Sequence, residues 1–165
     1  MADQSFFHMV YHGGGLVRVT NSPVLTVAAN YVANDYVGTN SVPMTFANCA
    51  RVVGGSGYII SALLVDYALQ SVSTELWLFS ATVTPPLDSA AWTITDAHSA
   101  LCIGVIPFTT YYASAVNSVS MGTINNPIGF VCAAASQDLY GCLVTRGAPA
   151  YASLDLTVKL GIMQN

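Results

Sequence analysis

The chain has 165 residues and a net charge of −4, with 53% hydrophobic but only 7% charged residues. An average soluble domain carries about 25% charged residues, so this composition leaves apolar side chains exposed, and such patches usually mark contacts with other chains. The four cations, Arg18, Arg51, Arg146 and Lys159, are scattered and do not form the basic patch that nucleic acid binding requires. We therefore expect a single domain that is an obligate oligomer or packs against another protein.

Residues 1–15 are predicted to form an N-terminal arm that ends in three glycines, and residues 16–165 to form the domain. The acidic start lacks the basic and then hydrophobic regions of a secretory signal, so we expect the protein to fold in a cytoplasm. His8 and His12 are four residues apart in this arm. The metalloprotease motif also needs a glutamate directly after the first histidine, and none stands there. A surface arm is the expected role.

After the arm, short runs rich in β-branched and aromatic residues alternate with turn residues, which is typical of strands. The last run alternates cleanly, with the even-numbered residues from Leu156 to Ile162 on one face. Many short strands without a strong helical period predict an all-β sandwich or barrel. The predicted strands are 16–20, 24–30, 36–38, 42–53, 58–69, 74–79, 100–106, 116–124, 128–134, 139–145 and 154–163.

The stretch RVVGGSGYIISALLVDYAL, residues 51–69, joins a glycine-rich segment to a mostly apolar run. Polar residues interrupt it too often for a membrane helix, which needs roughly 20 apolar residues. Its glycines also do not match the phosphate-binding or nucleophile-elbow motifs. Glycine tolerates the positive φ angles that tight connections between strands need. We therefore predict a β-hairpin that pairs 42–53 with 58–69 through a turn at Gly54–Gly57.

One face of this predicted hairpin is almost wholly apolar, as a core face should be. The opposite face carries Arg51, Tyr58, Ile60, Leu64 and Asp66. A strand with two apolar faces is covered on both sides, and in a small domain a neighbouring subunit can be the second cover. These five residues are therefore the candidate interface. Within it, Arg51 and Asp66 either pair with groups across the contact or reach solvent at the sheet edge.

The one long polar insertion spans residues 85–99 and is expected to contain a single helical turn after Thr95 or Asp96, which can cap a helix. Asp96 and His98 are two residues apart and, with a nearby serine or aspartate, could form a hydrolase-like cluster. A catalytic triad is defined by geometry, however, and no oxyanion motif flanks these residues. We therefore expect no catalytic residue and no enzymatic activity.

The four cysteines, Cys49, Cys102, Cys132 and Cys142, show no C-x-x-C spacing. Each lies in an apolar run, where free thiols behave as small hydrophobic groups. A bridge between Cys132 and Cys142 would need neighbouring strands and an oxidising compartment. We expect no metal site and no cofactor.

Spaced motifs extend over roughly residues 28–162. They are Tyr31-x-x-x-Asp35-x-x-Gly38, Phe46-x-Asn48-x-x-Arg51, Gly54-Gly55-x-Gly57-x-Ile59 and Asp66, followed by Leu78-Phe79, Pro85-Pro86, Thr95-Asp96-Ala97 and Ile103-Gly104. Together they resemble small structural proteins of tailed bacteriophages. The resemblance implies a capsid decoration, or cement, protein with a jelly-roll-like β-sandwich and no catalytic signature.

The leading expectation is thus a virion structural protein, assembled in the host cytoplasm, that binds the major capsid protein on the outer face of the shell. It is expected to be a homo-oligomer, with a trimer favoured, and to bind neither nucleic acid nor membrane. One alternative is a tail-tip or fibre domain that binds host carbohydrate, for which Trp92, near Asp88 and Asp96, would be the sugar platform. The other alternative is a hydrolase that uses His98.

Overall fold

The computed structural model describes residues 15–25 and 29–165, which are 46% strand and 3% helix. The predicted all-β class is therefore confirmed, whereas the arm, with His8 and His12, lies outside the described residues except for Gly15. The elements are β1 (Leu16–Asn21), β2 (Ala29–Asn30), β3 (Tyr36–Val37), β4 (Met44–Phe46), β5 (Ser56–Asp66), β6 (Thr74–Phe79), α1 (Asp96–Ser99), β7 (Cys102–Phe108), β8 (Tyr111–Ala113), β9 (Ser118–Met121), β10 (Ile128–Val131), β11 (Leu139–Thr145), β12 (Ala150–Tyr151) and β13 (Leu156–Gln164).

Two antiparallel sheets contain most of the strands. The six-stranded sheet has the order β1-β13-β5-β9-β8, and β10 also pairs with β5, beside its first residues. The five-stranded sheet has the order β3-β11-β6-β7, and β4 pairs with the first half of β11. Strands β2 and β12 form a separate two-stranded ribbon. The first strand of the described chain therefore pairs with the last, so segments far apart in the sequence meet in one sheet.

The inward faces of the two large sheets share one buried core. The predicted alternation of β13 is confirmed, because its even-numbered residues from Leu156 to Ile162 are fully buried in this core. The five-stranded sheet contributes Leu76 and Leu78 of β6 and Ile106 of β7 to the same cluster. Full burial of one such side chain stabilises a fold by about 1.5–3 kcal/mol, so this shared core holds the two sheets together.

A second, smaller cluster lies on the other side of the five-stranded sheet. The polar insertion supplies Trp92 and Ile94 to it, and they pack with Val83, just before the insertion, and with Tyr36 and Trp77 of the sheet. The ring of Trp92 is stacked on that of Tyr36 at 6.0 Å, and its centroid is 5.6 Å from that of Trp77. The insertion therefore covers the outward face of the five-stranded sheet.

The predicted helical turn is confirmed as α1 in this insertion. It begins after the N-cap residue Thr95, whose side-chain oxygen accepts a hydrogen bond from the backbone N–H of His98 at 3.2 Å. This contact satisfies one of the N–H groups that a helix N-terminus leaves without a partner. The capped turn thus fixes the path of the covering segment.

The predicted hairpin between 42–53 and 58–69 is wrong. Strand β4 pairs with β11, whereas β5 pairs with β13, β9 and β10. Asn48 has a φ of 58°, which ends the extended run after β4, and the N–H groups of Ala50 and Gly54 bond to the carbonyls of Gln137 and Ser136. Residues 47–55 are therefore a loop held by another loop.

Two glycines of the predicted turn have different roles in the structure. Gly54 has a φ of 67°, the left-handed conformation that its sequence context predicted. Gly57 lies inside β5 instead, where an added Cβ would be 2.6 Å from the carbonyl oxygen of Met163 and 2.9 Å from the ring of Phe130. Its missing side chain permits close packing of neighbouring strands and does not serve a turn.

Candidate functional site

The five residues of the candidate interface do not share one face. In β5, Tyr58 and Ile60 are exposed to 45% and 36%, whereas Leu64 and Asp66 are fully buried on the inward side. Arg51 is exposed in the loop before β5. The predicted common face is wrong because a β-bulge at Ile60 interrupts the alternation of side chains along β5 and because Arg51 lies in a loop. Contact with another chain stays a prediction for Arg51, Tyr58 and Ile60, while Leu64 and Asp66 offer no exposed side chain for it.

Asp66 is an internal anchor at the end of β5. Its carboxylate accepts hydrogen bonds from the backbone N–H groups of Ala68 at 3.0 Å and Ser71 at 2.7 Å. The hydroxyl of Ser118, on the neighbouring strand β9, donates to the same carboxylate at 3.5 Å. Hydrogen bonds to an ionised group compensate the cost of its burial. Asp66 therefore holds the turn after β5 against β9, within one subunit.

The outward face of the six-stranded sheet exposes several large apolar side chains, although Val65 and Thr157 on it are buried. Leu16 of β1, Met163 of β13 and Tyr58 of β5 lie side by side in register and are all exposed. We call this surface the outward face. Its residues are Leu16, Arg18, Thr20, Tyr58, Ile60, Ser61, Leu63, Val65, Tyr112, Val119, Met121, Gly129, Val131, Thr157, Lys159, Gly161 and Met163.

Ile60 is the extra residue of a β-bulge in β5, at the centre of this face. Gly161 pairs with Ser61 and the next residue of β13, Ile162, pairs with Ile59, so Ile60 has no partner in β13. Such an extra residue bends its strand and redirects a side chain. Ile60 lines a shallow apolar depression together with Tyr58, Pro127 and Met163. The sequence signalled the apolar residues but not the bulge, which appears only when the distant strand β13 is in place.

The charges on the outward face are all positive. Arg18 and Lys159 lie on it, and none of its seventeen residues is an aspartate or glutamate. In the described part of the chain, the ion pair is that of Arg146 with Glu75, 2.5 Å apart beside the five-stranded sheet. The hydrogen bond from Arg146 holds the pKa of the Glu75 carboxyl below its ordinary value. Arg18 and Lys159 have no such partner among residues 15–25 and 29–165.

The candidate catalytic residues are not arranged as an acid–base pair. The Nδ1 atom of His98 is buried and has no hydrogen-bond partner among the described residues. Asp96 is exposed on α1. Asp88 accepts hydrogen bonds from the hydroxyl of Tyr31 at 2.8 Å and the backbone N–H of Gly38 at 3.2 Å, which ties the insertion to the segments that flank β3. The base that a hydrolase would use at His98 therefore lacks an orienting contact at Nδ1.

The four cysteines are free thiols. Cys132 lies in the main core and Cys142 in the second cluster, on opposite sides of the five-stranded sheet. Burial raises the pKa of the Cys49 and Cys142 thiols to about 12. Over the described ranges, no three histidine, cysteine or acidic side chains come together as a metal site.

No protein-family model, curated protein or solved structure matches this chain. Within the described residues, no helix has the length and apolar character needed to cross a membrane. The strand arrangement and the outward face are the features of this chain that bear on its function.

Proposed function

We propose that this chain is a virion structural protein, a capsid decoration protein that acts as a homo-oligomer on the outer face of a bacteriophage shell and binds the major capsid protein there. It carries no catalytic centre in this proposal. The contact surfaces of the fold perform the function.

The order of strand pairing supports a jelly-roll-like sandwich. Strands β3 and β4 both pair with β11, and β9 and β10 both pair with β5, so each of these two pairs counts as one position. With β2, β8 and β12 left out, eight positions remain. In the six-stranded sheet these positions follow one another in the order first, eighth, third, sixth. In the five-stranded sheet the order is second, seventh, fourth, fifth. Jelly rolls place eight strands in two such sheets and are frequent in viral capsid domains.

The single observation that carries the proposal is the unequal cover of the two sheets. On the five-stranded sheet, Trp92 and its neighbours in the insertion cover the side that faces away from the main core. The outward face of the six-stranded sheet instead exposes large apolar side chains, including Leu16, Tyr58 and Met121. Exposed apolar patches of this kind mark association surfaces, and a shell accessory is a protein whose whole function is association.

The carbohydrate-binding alternative has less support, although lectin domains also use jelly rolls. A sugar needs an open aromatic ring, and the half-buried ring of Trp92 packs against both Tyr36 and Trp77. The hydrolase alternative also has less support, because the buried Nδ1 of His98 has no hydrogen-bond partner among the described residues that would orient the ring.

The test is to purify particles of the virus that encodes this sequence and to measure the chain by quantitative mass spectrometry against the major capsid protein. We expect a fixed copy number per shell and matching external density by cryo-electron microscopy. Adding recombinant protein to particles stripped of the chain should restore both. Particles without the chain, or with density for it only at the tail, would contradict a decoration role.

A further inference from the structure

Strand β10 has an edge whose backbone groups are not paired with any described strand. The N–H of Cys132, just after β10, donates to the carbonyl of Gly55, just before β5, at 2.9 Å. The direction of hydrogen bonding alternates along an antiparallel strand. The even-numbered residues of β10 therefore also bond to β5, whereas Gly129 and Val131 direct their N–H and C=O groups away from it. Both residues are exposed, and among the described strands β10 pairs with β5 alone.

The next hydrogen bond along the chain shows where this edge points. The N–H of Ala133 donates to the carbonyl of Ser80, just after β6, at 3.2 Å. Val131 and Gly129 precede Ala133 at intervals of two residues, or about 6.6–6.8 Å each, on the same side of the strand. Their donors and acceptors therefore face the gap between β10 and the start of β7, and they have the repeat of an extended backbone.

A trough of about 530 Å³ adjoins this edge. It is lined by the backbone of β10, by Phe130, by Ile103 of β7 and by Tyr58 of β5, and none of its lining residues is acidic or basic. Sites that bind ligands have volumes of about 300–1,000 Å³ and are mostly apolar, with a few polar groups that orient the ligand. The trough therefore suits an uncharged ligand that can also bond to the edge.

The other edges of the two large sheets are protected in ways that natural proteins use against strand addition. Strand β1 carries the charge of Arg18. In β7, Pro107 has no N–H to offer, and its carbonyl accepts a hydrogen bond from the N–H of Thr123 at 2.9 Å. Strands β3, β4 and β8 are only two or three residues long. Strand β10, Ile128–Val131, includes neither a charged residue nor a proline, so its edge is less protected than the others.

We propose that the edge of β10 binds an extended, uncharged segment of another protein, which adds an antiparallel strand to the six-stranded sheet. The backbone of that segment exchanges hydrogen bonds with Gly129 and Val131, and pockets for alternate side chains give specificity. The residue opposite Phe130 is apolar and enters the trough toward Ile103, while its two neighbours are small and lie outward beside Tyr58. The contact uses only the strand edge and its trough, so it does not depend on the proposed role on a shell.

The first test titrates the isotope-labelled full chain with the uncharged peptide acetyl-GTSVSTG-amide and follows the amide signals by NMR. Binding should shift the signals of Gly129 and Val131 and slow their hydrogen exchange at least about 10-fold. The matched control peptide is N-methylated at its two serines, which removes the donors that face the edge. It should bind at least about 10-fold more weakly. Equal binding of both peptides, or no binding at millimolar concentration, would overturn the proposal.

Two variants of the edge separate the backbone contribution from that of the side chain. Val131→Pro removes an N–H that bonds to no described strand, a position at which a sheet tolerates proline, and peptide binding should fall at least about 10-fold. Val131→Thr keeps this N–H and should bind normally. Equal binding by the two variants would contradict the role of the edge. If Val131→Pro does not fold, the comparison with the N-methylated peptide decides the question.

The same signals distinguish two other occupants. Slow exchange of Gly129 and Val131 in the free chain that is lost on dilution would place a second copy on the edge. Shifts around Tyr58 with the neutral sugar maltotetraose, without binding of the peptide, would make the trough a carbohydrate site. Either result would overturn the proposal.

Discussion

Replacing Asp66 by leucine tests whether the buried carboxylate holds the turn after β5. The substitution removes the acceptor for the N–H groups of Ala68 and Ser71 and for the Ser118 hydroxyl. Each hydrogen bond to a charged group contributes about 1.5–3 kcal/mol. Ser71 is exposed and Ala68 half-buried, so water replaces part of what is lost. We therefore expect a loss of about 3–5 kcal/mol, a large fraction of the roughly 5–15 kcal/mol that stabilises a typical domain.

The assay is urea unfolding, followed by tryptophan fluorescence and by far-ultraviolet circular dichroism. The expected loss corresponds to a fall of roughly 10 °C in melting temperature for a chain of this size. Asp66→Asn keeps one acceptor oxygen and should lose only about 1–2 kcal/mol. Asp96→Leu is the matched control, because this carboxylate is exposed on α1. An Asp66→Leu variant within about 0.5 kcal/mol of wild type, the usual range of a surface change, would show that the carboxylate does not hold the turn.

Three further predictions concern single positions. Gly54→Val should lower the melting temperature and Gly54→Asn much less, because asparagine tolerates the left-handed conformation at φ 67°; equal melting curves would contradict this. The lowered pKa of Glu75 means that its pairing with Arg146 stabilises the fold above the ordinary pKa of 4.5 and stops doing so as the pH falls through the folded-state pKa. Glu75→Gln should therefore cost about 0.2–1 kcal/mol at pH 7 and nothing near pH 2, and a cost independent of pH would argue against the pair. Cys49 and Cys142, with pKa values of about 12, should react with a thiol reagent at pH 8 only after unfolding, since the thiolate is the reactive form; rapid reaction of the native protein at these positions would refute their burial.

The sequence predicts strands best where local pattern and burial agree. Strands β6 and β11 have the predicted bounds, because polar or turn residues follow each apolar run directly. The run 42–53 failed because only Met44–Phe46 is extended and its partner is β11, far along the chain. The short strands β8 and β12 were not predicted, since two or three residues give no period to detect.

The candidate site was predicted only in part for the same reason. Tyr58 and Ile60 were assigned to an apolar outward side, and they do lie on the outward face. Leu64 was assigned to the same side because the bulge that shifts the pairing along β5 is not visible in the sequence of β5 alone. The sequence predicts for Asp66 either a partner across a contact or exposure at the sheet edge, but its partners are mainly the backbone N–H groups just after it. Local polar contacts of this kind leave little periodic signal.

The position of β13 between β1 and β5 also determines when the fold can close during synthesis. Gln164, at the end of β13, donates to the carbonyl of Asn48, 116 residues earlier. At about 5–20 residues per second on the ribosome, on the order of 5–20 s pass between the synthesis of β5 and the synthesis of β13, its neighbour in the sheet. For that time the edge of β5, and the edge of β1, can pair with other nascent chains. Shielding of this β5 edge during synthesis should therefore reduce aggregation, because nascent chains on one polysome lie close enough together to pair through it.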